Sequence, residues 1–249
     1  MRKHFACIAA IFITLSAFSA WSQNDRTTQP DRYFLILSEV ADSQTLLPPP
    51  PNDSTAHFAY DKEQYEWGKK QRPTERGRVA VTDANLNEGW LDRDFSDAFG
   101  FKLTPENAPK IYSLITNMKE DAGDLSTRAA KNHYMRPRPF MVFNEPSATP
   151  DDEPGLRKNG SFPSGHTAIG WATALVLSEI NPARATEILK RGYDMGQSRV
   201  ICGAHFQSDV DAGRIVGAGA VAALHANKNF QKKLNDAKKE FKKLQSKKK

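Results

Sequence analysis

The sequence has little cysteine and, beyond its first 22 residues, no long uncharged apolar run. Its two cysteines are Cys7 and Cys202, and Cys7 falls in an N-terminal segment predicted to be removed. An intrachain disulfide is therefore excluded, and Cys202 is expected to be a buried core residue. No later stretch approaches the roughly 18 apolar residues of a membrane-spanning helix, so the mature chain is expected to be soluble. Because no stretch alternates convincingly between apolar and polar residues, the sequence predicts an all-α fold.

The N-terminal segment has the pattern of a secretory signal peptide. Arg2 and Lys3 form a short basic start, and the uncharged residues 5–18 that follow are mainly apolar. Two small-residue pairs then offer cleavage sites, namely Ala17 with Ser19 and Ala20 with Ser22. This order of features predicts a signal peptide over residues 1–22, and hence a periplasmic or secreted protein.

Charge is distributed unevenly along the chain. The net charge of the whole sequence is +6. Residues 228–249 contain ten lysines against Asp236 and Glu240, a balance of +8, and Arg2 and Lys3 add +2, which leaves −4 for residues 4–227. The body is therefore mildly acidic and the basicity lies in a tail, which argues against a general nucleic-acid-binding surface.

The mature chain divides into three segments. Residues 23–52 are predicted to be an extended N-terminal arm, because they end in a run of four prolines that cannot be helical. Residues 53–227 are predicted to form a single compact helical domain. Residues 228–249 are predicted to be a basic C-terminal helix that frays into a lysine tail.

Two helix starts are marked by the sequence. Thr104 is followed by Pro105 and Glu106, which are a cap, a proline suited to the first helical position and an acid in the first turn. Ser164 is a good N-cap for the apolar run that follows Gly165. The unpaired amides at such a helix start can hold an anion.

Three clusters of chemically active residues occur in order. They are Lys131 with Arg138 and Pro139; Ser164, Gly165 and His166; and Ser198, Arg199, His205 and Asp209. Taken singly, each has an ordinary explanation as solvated charge, helix capping or a local surface pair. Taken together, two arginines, one lysine, a serine hydroxyl and the amides of a helix start suit a dianionic tetrahedral oxyanion.

The two histidines add proton chemistry to this anion site. One can act as an acid, and the other as a nucleophile or base. Asp209 lies four residues after His205, so its carboxylate can accept a hydrogen bond from one ring nitrogen and leave the other free to attack. No metal site is predicted, because no His, Cys or carboxylate cluster has ligand spacing.

The spacing of these clusters resembles the three-part motif of the phosphatidic acid phosphatase type 2 superfamily. Six residues separate Lys131 from Arg138, the second part is Pro163 to His166, and five and three residues separate Arg199, His205 and Asp209. Within that superfamily, residues 160–167 are similar to the pattern of the bacterial class A non-specific acid phosphatases. The likeness covers nearly all of the mature chain.

The resemblance implies a secreted, all-helical phosphomonoesterase with no cofactor. By motif position His205 would form a phosphohistidine, oriented by Asp209, and His166 would protonate the leaving alcohol. The phosphate-binding residues would be Lys131, Arg138, Ser164, Gly165 and Arg199. Glu120 would support the Lys/Arg cluster.

Further expectations concern substrates, inhibitors and assembly. Small phosphomonoesters, nucleotides among them, are the expected substrates, with phosphoryl transfer to alcohols left open, and phosphate and vanadate are the expected inhibitors. Activity should peak at about pH 5–6.5, near the ordinary histidine pKa. Homo-oligomerisation is left open. The alternative function is that of a vanadium-dependent haloperoxidase, whose oxyanion pocket resembles this one.

Overall fold

The computed structural model describes residues 32–247, and this part of the chain contains helices and no β-strand. The predicted all-α fold is therefore confirmed. The predicted signal peptide, residues 1–22, lies outside the described residues, as do the first residues of the predicted arm. The helices are α1 (Ser43–Leu46), α2 (Ala56–Gln71), α3 (Glu75–Asp83), α4 (Trp90–Phe99), α5 (Pro109–Glu120), α6 (Arg128–Tyr134), α7 (Pro139–Val142), α8 (Glu153–Leu156), α9 (Gly165–Ile180), α10 (Ala185–Ile201), α11 (Gln207–Ala226) and α12 (Lys228–Lys247).

Helix α9 lies at the centre of the domain, with α10 and α11 packed against it. Its sequence is apolar almost all round, as expected of a helix buried on several faces. Close approach to α10 depends on Gly192, since a Cβ there would lie 2.4 Å from the Cβ of Ala174 and 2.8 Å from the carbonyl oxygen of Gly170. The N-terminus of α9 is thereby fixed by packing along its length.

The N-terminal arm is packed onto the domain through buried residues. Tyr33, Phe34 and Leu35 are each at most 5% exposed, and the backbone amides of Phe34 and Leu35 donate to the carboxylate of Asp121 at 3.0 and 2.9 Å. Asp121 begins a π-helical turn, Asp121–Leu125, between α5 and α6. The segment predicted as extended also contains the short helix α1, whose Asp42 cap accepts from two backbone amides.

The helix start predicted at Thr104 is wrong by about one turn. Thr104 caps only a turn, in which its Oγ1 accepts from the amide of Asn107, and α5 begins at Pro109. Proline disfavours the helical conformation in the residue before it, and Ala108 has φ −142° and ψ 58°. The turn that starts at Thr104 consequently cannot continue into the helix.

Helix α12 is part of the core rather than a free tail. Phe230, Leu234 and Phe241 are at most 4% exposed and belong to the main hydrophobic cluster. The helix packs against α5, and its Glu240 accepts from the amides of Lys110 and Ile111 at the start of α5. Its lysines therefore occupy the outer face of an amphipathic helix.

Two further observations concern the sequence expectations. Cys202 is buried, with its Sγ 3.3 Å from the carbonyl oxygen of Ala80, as predicted for a core residue. Among the helices within residues 32–247, none combines the length and the apolar character needed to cross a membrane.

Candidate active site

Five helix ends bring the motif residues together. Lys131 lies on α6 and Arg138 caps α7, while Ser164, Gly165 and His166 begin α9. Arg199 lies in the last turn of α10 and Asp209 in the first turn of α11. His205 occupies the connection between those two helices, which turns at Gly203 with the positive φ of +73° that favours glycine.

Three cations of this group are buried beside one another. Lys131, Arg138 and Arg199 are 8%, 3% and 1% exposed. Burial, followed by repulsion from Arg138 and Arg199, lowers the pKa of Lys131 to about 7, and burial with Arg199 lowers the pKa of Arg138 to about 10. Both pKa shifts have the direction expected where burial and neighbouring positive charge disfavour the protonated form.

The hydrogen bonds of these cations are unequal. Lys131 Nζ donates to the carbonyl oxygen of Gly160 at 2.6 Å. Arg138 donates to several backbone carbonyls, including those of Leu156 and Ala204 at 2.9 and 3.0 Å. Arg199, in contrast, has no partner for Nε or Nη1 among the described residues. Two buried donors without an acceptor are costly, and a bound anion would satisfy them.

The start of α9 adds a hydroxyl and backbone amides. Ser164 Oγ accepts from the amide of Thr167 at 3.3 Å and from its hydroxyl at 2.9 Å, so the Ser164 proton remains to be donated. Gly165 packs tightly, since a Cβ there would lie 2.9 Å from the carbonyl oxygen of Gly123. This is the arrangement expected of a helix terminus that holds an oxyanion.

The contacts of His205 define its tautomer. Arg138 Nη1 lies 3.0 Å from His205 Nε2, and a guanidinium can only donate, so Nε2 is the unprotonated nitrogen. Nδ1 therefore carries the ring proton. Burial and the charge of Arg138 hold the pKa of His205 well below its ordinary value, which keeps the ring neutral. A neutral imidazole with an unprotonated Nε2 can act as a nucleophile once that nitrogen is released from the Arg138 donor.

Asp209 lies beside His205 without a direct hydrogen bond to it. Its Oδ2 is 3.6 Å from His205 Nδ1, beyond hydrogen-bond distance, which differs from the direct acceptor role expected from the spacing. Between them, Ser161 Oγ is 2.5 Å from Asp209 Oδ2 and 3.3 Å from His205 Nδ1. Although burial opposes ionisation, the positive charge of Arg136, the nearby ring of His205 and the hydrogen bond from Ser161 hold the Asp209 pKa well below its usual range.

A second buried network supports Asp209 and was not predicted from the sequence. Arg136 donates to Asp209 at 2.6 Å and to Asp61 at 2.9 Å, and its guanidinium lies over the Phe206 ring. Asp61 also accepts from the amide and the hydroxyl of Ser208. Asp61, Arg136 and Ser161 are thus functional candidates that the motif did not mark.

His166 contacts the backbone of the α3–α4 connection. Its Nε2 lies 3.0 Å from the carbonyl oxygen of Ala84, which can only accept, so Nε2 carries a proton and Nδ1 is the nitrogen that can exchange one. Burial, followed by repulsion from Arg199, lowers the pKa of His166 well below its ordinary value. This direction departs from the ordinary histidine pKa on which the expected activity maximum was based.

A cavity of about 710 Å³ opens beside the cluster. Its lining includes Lys131, Gly165 and His166, together with the carboxylates of Glu120 and Asp124. Among the described residues Glu120 pairs with Arg32 at 3.4 Å and Lys119 at 3.6 Å, rather than with the buried cations that it was expected to support. The two nearby cations satisfy Glu120 at the cavity wall.

The positive charge of the site is carried by its lysine and arginine side chains. Within residues 32–247, no group of three or more His, Cys, Asp or Glu side chains is placed to hold a metal ion. Lys131, Arg138 and Arg199 supply positive charge, and Arg donors match the oxygens of a phosphate group. The site can therefore bind a tetrahedral oxyanion next to a neutral imidazole.

Comparison with known proteins agrees with this chemistry. The PAP2 superfamily model matches residues 114–233, which include every residue of the three motif clusters. A non-specific acid phosphatase of Providencia stuartii is 55% identical over 246 residues, covering 98% of this chain and 99% of that protein. A non-specific acid phosphatase of Salmonella typhimurium is 46% identical over 86% of this chain and 85% of its own length. An acid phosphatase of Zymomonas mobilis is 37% identical over 83% of this chain and 78% of its own length.

The helical fold and the oxyanion cluster define a phosphatase-type domain, and the relatives narrow the class. The chain belongs to the PAP2 superfamily, as a class A non-specific acid phosphatase. Its activity is that of an acid phosphatase.

Proposed function

We propose that this acid phosphatase hydrolyses phosphate monoesters through a phosphohistidine formed on His205 Nε2. The observation that supports the proposal best is the buried guanidinium of Arg199, whose Nε and Nη1 have no acceptor within residues 32–247. With Lys131, Arg138, Ser164 and the amide of Gly165, it offers donors for the oxygens of the transferring phosphoryl group. These cations supply the stabilising charge, so metal independence is part of the proposal.

In the first step the lone pair of His205 Nε2 forms a bond to phosphorus. The bond from phosphorus to the leaving oxygen breaks, and that oxygen takes a proton from His166. In the unliganded site Arg138 donates to Nε2. A phosphate dianion that attracts the Arg138 donors would release that lone pair for the attack.

In the second step a water oxygen attacks phosphorus and gives its proton to His166. The bond between nitrogen and phosphorus breaks, which returns neutral His205 and releases phosphate. An alcohol in place of water would give phosphoryl transfer by the same step. We extend the proposal to broad substrates, nucleotides included, because a cavity of about 710 Å³ can accept a nucleoside-sized leaving group.

The charges of the site favour catalytic activity below about pH 7. His205 must be neutral to attack, and its lowered pKa keeps it neutral below its ordinary titration range. His166 must carry a proton, and a bound phosphate dianion would raise its pKa by opposing the charge of Arg199. The rate then falls when pH drops through the His205 pKa or rises through the pKa of substrate-bound His166. A maximum at about pH 5–6.5 is expected.

Trapping the covalent intermediate tests the proposal. Wild-type enzyme quenched during turnover of a labelled aryl phosphate should yield an acid-labile phosphoenzyme, and His205→Ala should yield none. His166→Ala should still form it, and should lose more activity on alkyl than on nitrophenyl esters, because nitrophenolate needs little protonation. Labelled phosphoenzyme recovered from His205→Ala would remove His205 as the nucleophile.

We also propose a periplasmic location and competitive inhibition by phosphate and vanadate.

A further inference from the structure

We propose that Ser161 is a positioning residue that links Asp209 to His205 by hydrogen bonds. Ser161 is fully buried, and its Oγ lies 2.5 Å from Asp209 Oδ2 and 3.3 Å from His205 Nδ1. The two groups that it joins are 3.6 Å apart. Ser161 is therefore the closer neighbour of the imidazole on the Nδ1 side.

The direction of each hydrogen bond follows from its partners. Asp209 has a strongly lowered pKa and is ionised, so it accepts the hydroxyl proton of Ser161. Arg138 donates to Nε2 of His205, which places the ring proton on Nδ1. Ser161 Oγ then accepts from Nδ1 while it donates to Asp209. One hydroxyl satisfies both neighbours and favours the tautomer in which Nε2 is unprotonated.

The surroundings hold Ser161 and Asp209 in place. The amide of Ser161 donates to the carbonyl oxygen of Arg136 at 2.9 Å. Asp209 accepts from Arg136 at Oδ1, and from the amide of Phe206 at Oδ2. Because the carboxylate is fixed by other donors, it is not free to move toward His205. The hydroxyl of Ser161 bridges the remaining distance.

The role of Ser161 rests on the proposed function of His205 as nucleophile. When Nε2 bonds to phosphorus, the ring gains positive charge and its Nδ1 proton becomes a stronger donor. The hydrogen bond to Ser161 then strengthens, while the proton stays on Nδ1 and Asp209 remains ionised. Since the gain comes during the chemical step, Ser161 should affect kcat rather than KM.

The test is Ser161→Ala in the full-length enzyme. We expect kcat for an alkyl phosphate to fall about tenfold to a hundredfold, by analogy with the hydrogen-bond partners that orient metal-binding histidines, with little change in KM. Rapid-quench measurement should show slower formation of phosphoenzyme. Ser96→Ala is the matched control, because Ser96 is 5% exposed, donates to Asp92 at 2.5 Å and accepts from the amide of Leu103, yet lies outside the site. It should leave kcat unchanged.

A pH profile separates positioning from a loss of stability. The charged groups that face His205 are Arg138, Lys131 and Asp209. Removing the acceptor of the Nδ1 proton disfavours protonated His205, so the acid limb of kcat/KM should move to lower pH in Ser161→Ala. An unchanged kcat, or a fall in kcat with an unmoved acid limb, would overturn the role of Ser161. Failure of the nucleophile assignment is a different result, namely phosphoenzyme formed by His205→Ala.

Discussion

Arg136 and Arg199 are both buried arginines in one helical domain, but their guanidinium groups have different surroundings. Arg136 is 7% exposed and donates to the carboxylates of Asp61 and Asp209 while lying over the Phe206 ring. Arg199 is 1% exposed and lacks partners for Nε and Nη1 among the described residues. Two arginines with similar burial therefore have opposite hydrogen-bond balances.

The difference suggests that Arg136 stabilises the structure of the site, whereas Arg199 has donors available for a ligand. Removing one partner of a buried ion pair is strongly destabilising, because it leaves an uncompensated buried charge. A buried donor without a partner is costly, and a bound anion would remove that cost. By this reasoning we propose that Arg136 stabilises the carboxylate beside the proposed nucleophile, and that Arg199 binds the phosphoryl group.

The largest expected effect follows from replacing the arginine without partners. Arg199→Leu should lower kcat/KM for nitrophenyl phosphate by about a thousandfold, the upper range for losing one donor to a transition-state oxyanion. Its free energy of unfolding should not fall, because the replacement removes buried donors that lack acceptors. Steady-state kinetics and urea unfolding measure the two quantities. An active variant with reduced stability would reverse the assignment.

Replacing the paired arginine should give the opposite pattern. Arg136→Leu leaves the buried carboxylates of Asp61 and Asp209 without their shared counter-charge, and should lower the free energy of unfolding by about 3 kcal/mol in urea titrations. The double change Asp61→Asn with Arg136→Leu should recover part of that loss, because one of the two buried charges is then gone. A loss below about 1 kcal/mol in the single variant would show that the pair is not needed for stability.

The elements of the site that lie in local sequence could be predicted. The cap at Ser164, the helix after it and the all-α fold follow from turn chemistry and apolar periodicity, which act over a few residues. Ordered spacing predicted the cations and histidines, and the structure places them around one cluster. Their individual roles remain predictions.

The supporting network could not be predicted, because its partners are far apart along the chain. Asp61 and Ser208 are separated by 147 residues, and Arg136 and Asp209 by 73. One signal was present: Asp61 falls on the same face of α2 as the buried Tyr65 and Gly68, where a carboxylate requires a partner. The sequence could not say which arginine that partner is.

The C-terminal helix shows a similar limit. The ten lysines of residues 228–249 suggested a solvated tail, yet the apolar stripe of Phe230, Leu234 and Phe241 lies in the main core. Charge on one face of a helix does not determine whether the other face is buried. The periodicity of the sequence predicts the apolar stripe. It does not predict that α5 covers that stripe, which is a result of tertiary packing.

The smallest expected effect is the uptake of protons when phosphate binds, and it tests whether the buried cations lack a balancing negative charge. The pKa of Lys131 is lowered to about 7 by burial and by Arg138 and Arg199, so at about pH 8 most of this lysine is unprotonated. A bound phosphate dianion supplies the missing charge and raises that pKa. Binding should therefore take up protons from the buffer, approaching one per site.

Calorimetric titration of the full-length enzyme with inorganic phosphate measures this uptake, in two buffers that differ in ionisation enthalpy. Lys131→Met keeps much of the side-chain volume and should abolish most of the uptake, whereas His166→Ala should abolish little, because the pKa of His166 starts well below 6.5. Affinity should weaken as pH rises above about 7 in the wild type and vary less in Lys131→Met. Equal heats in both buffers would mean that Lys131 is already fully protonated in the unliganded site. In that case a negative charge other than an acceptor at Nε or Nη1 of Arg199 would have to balance the buried cations.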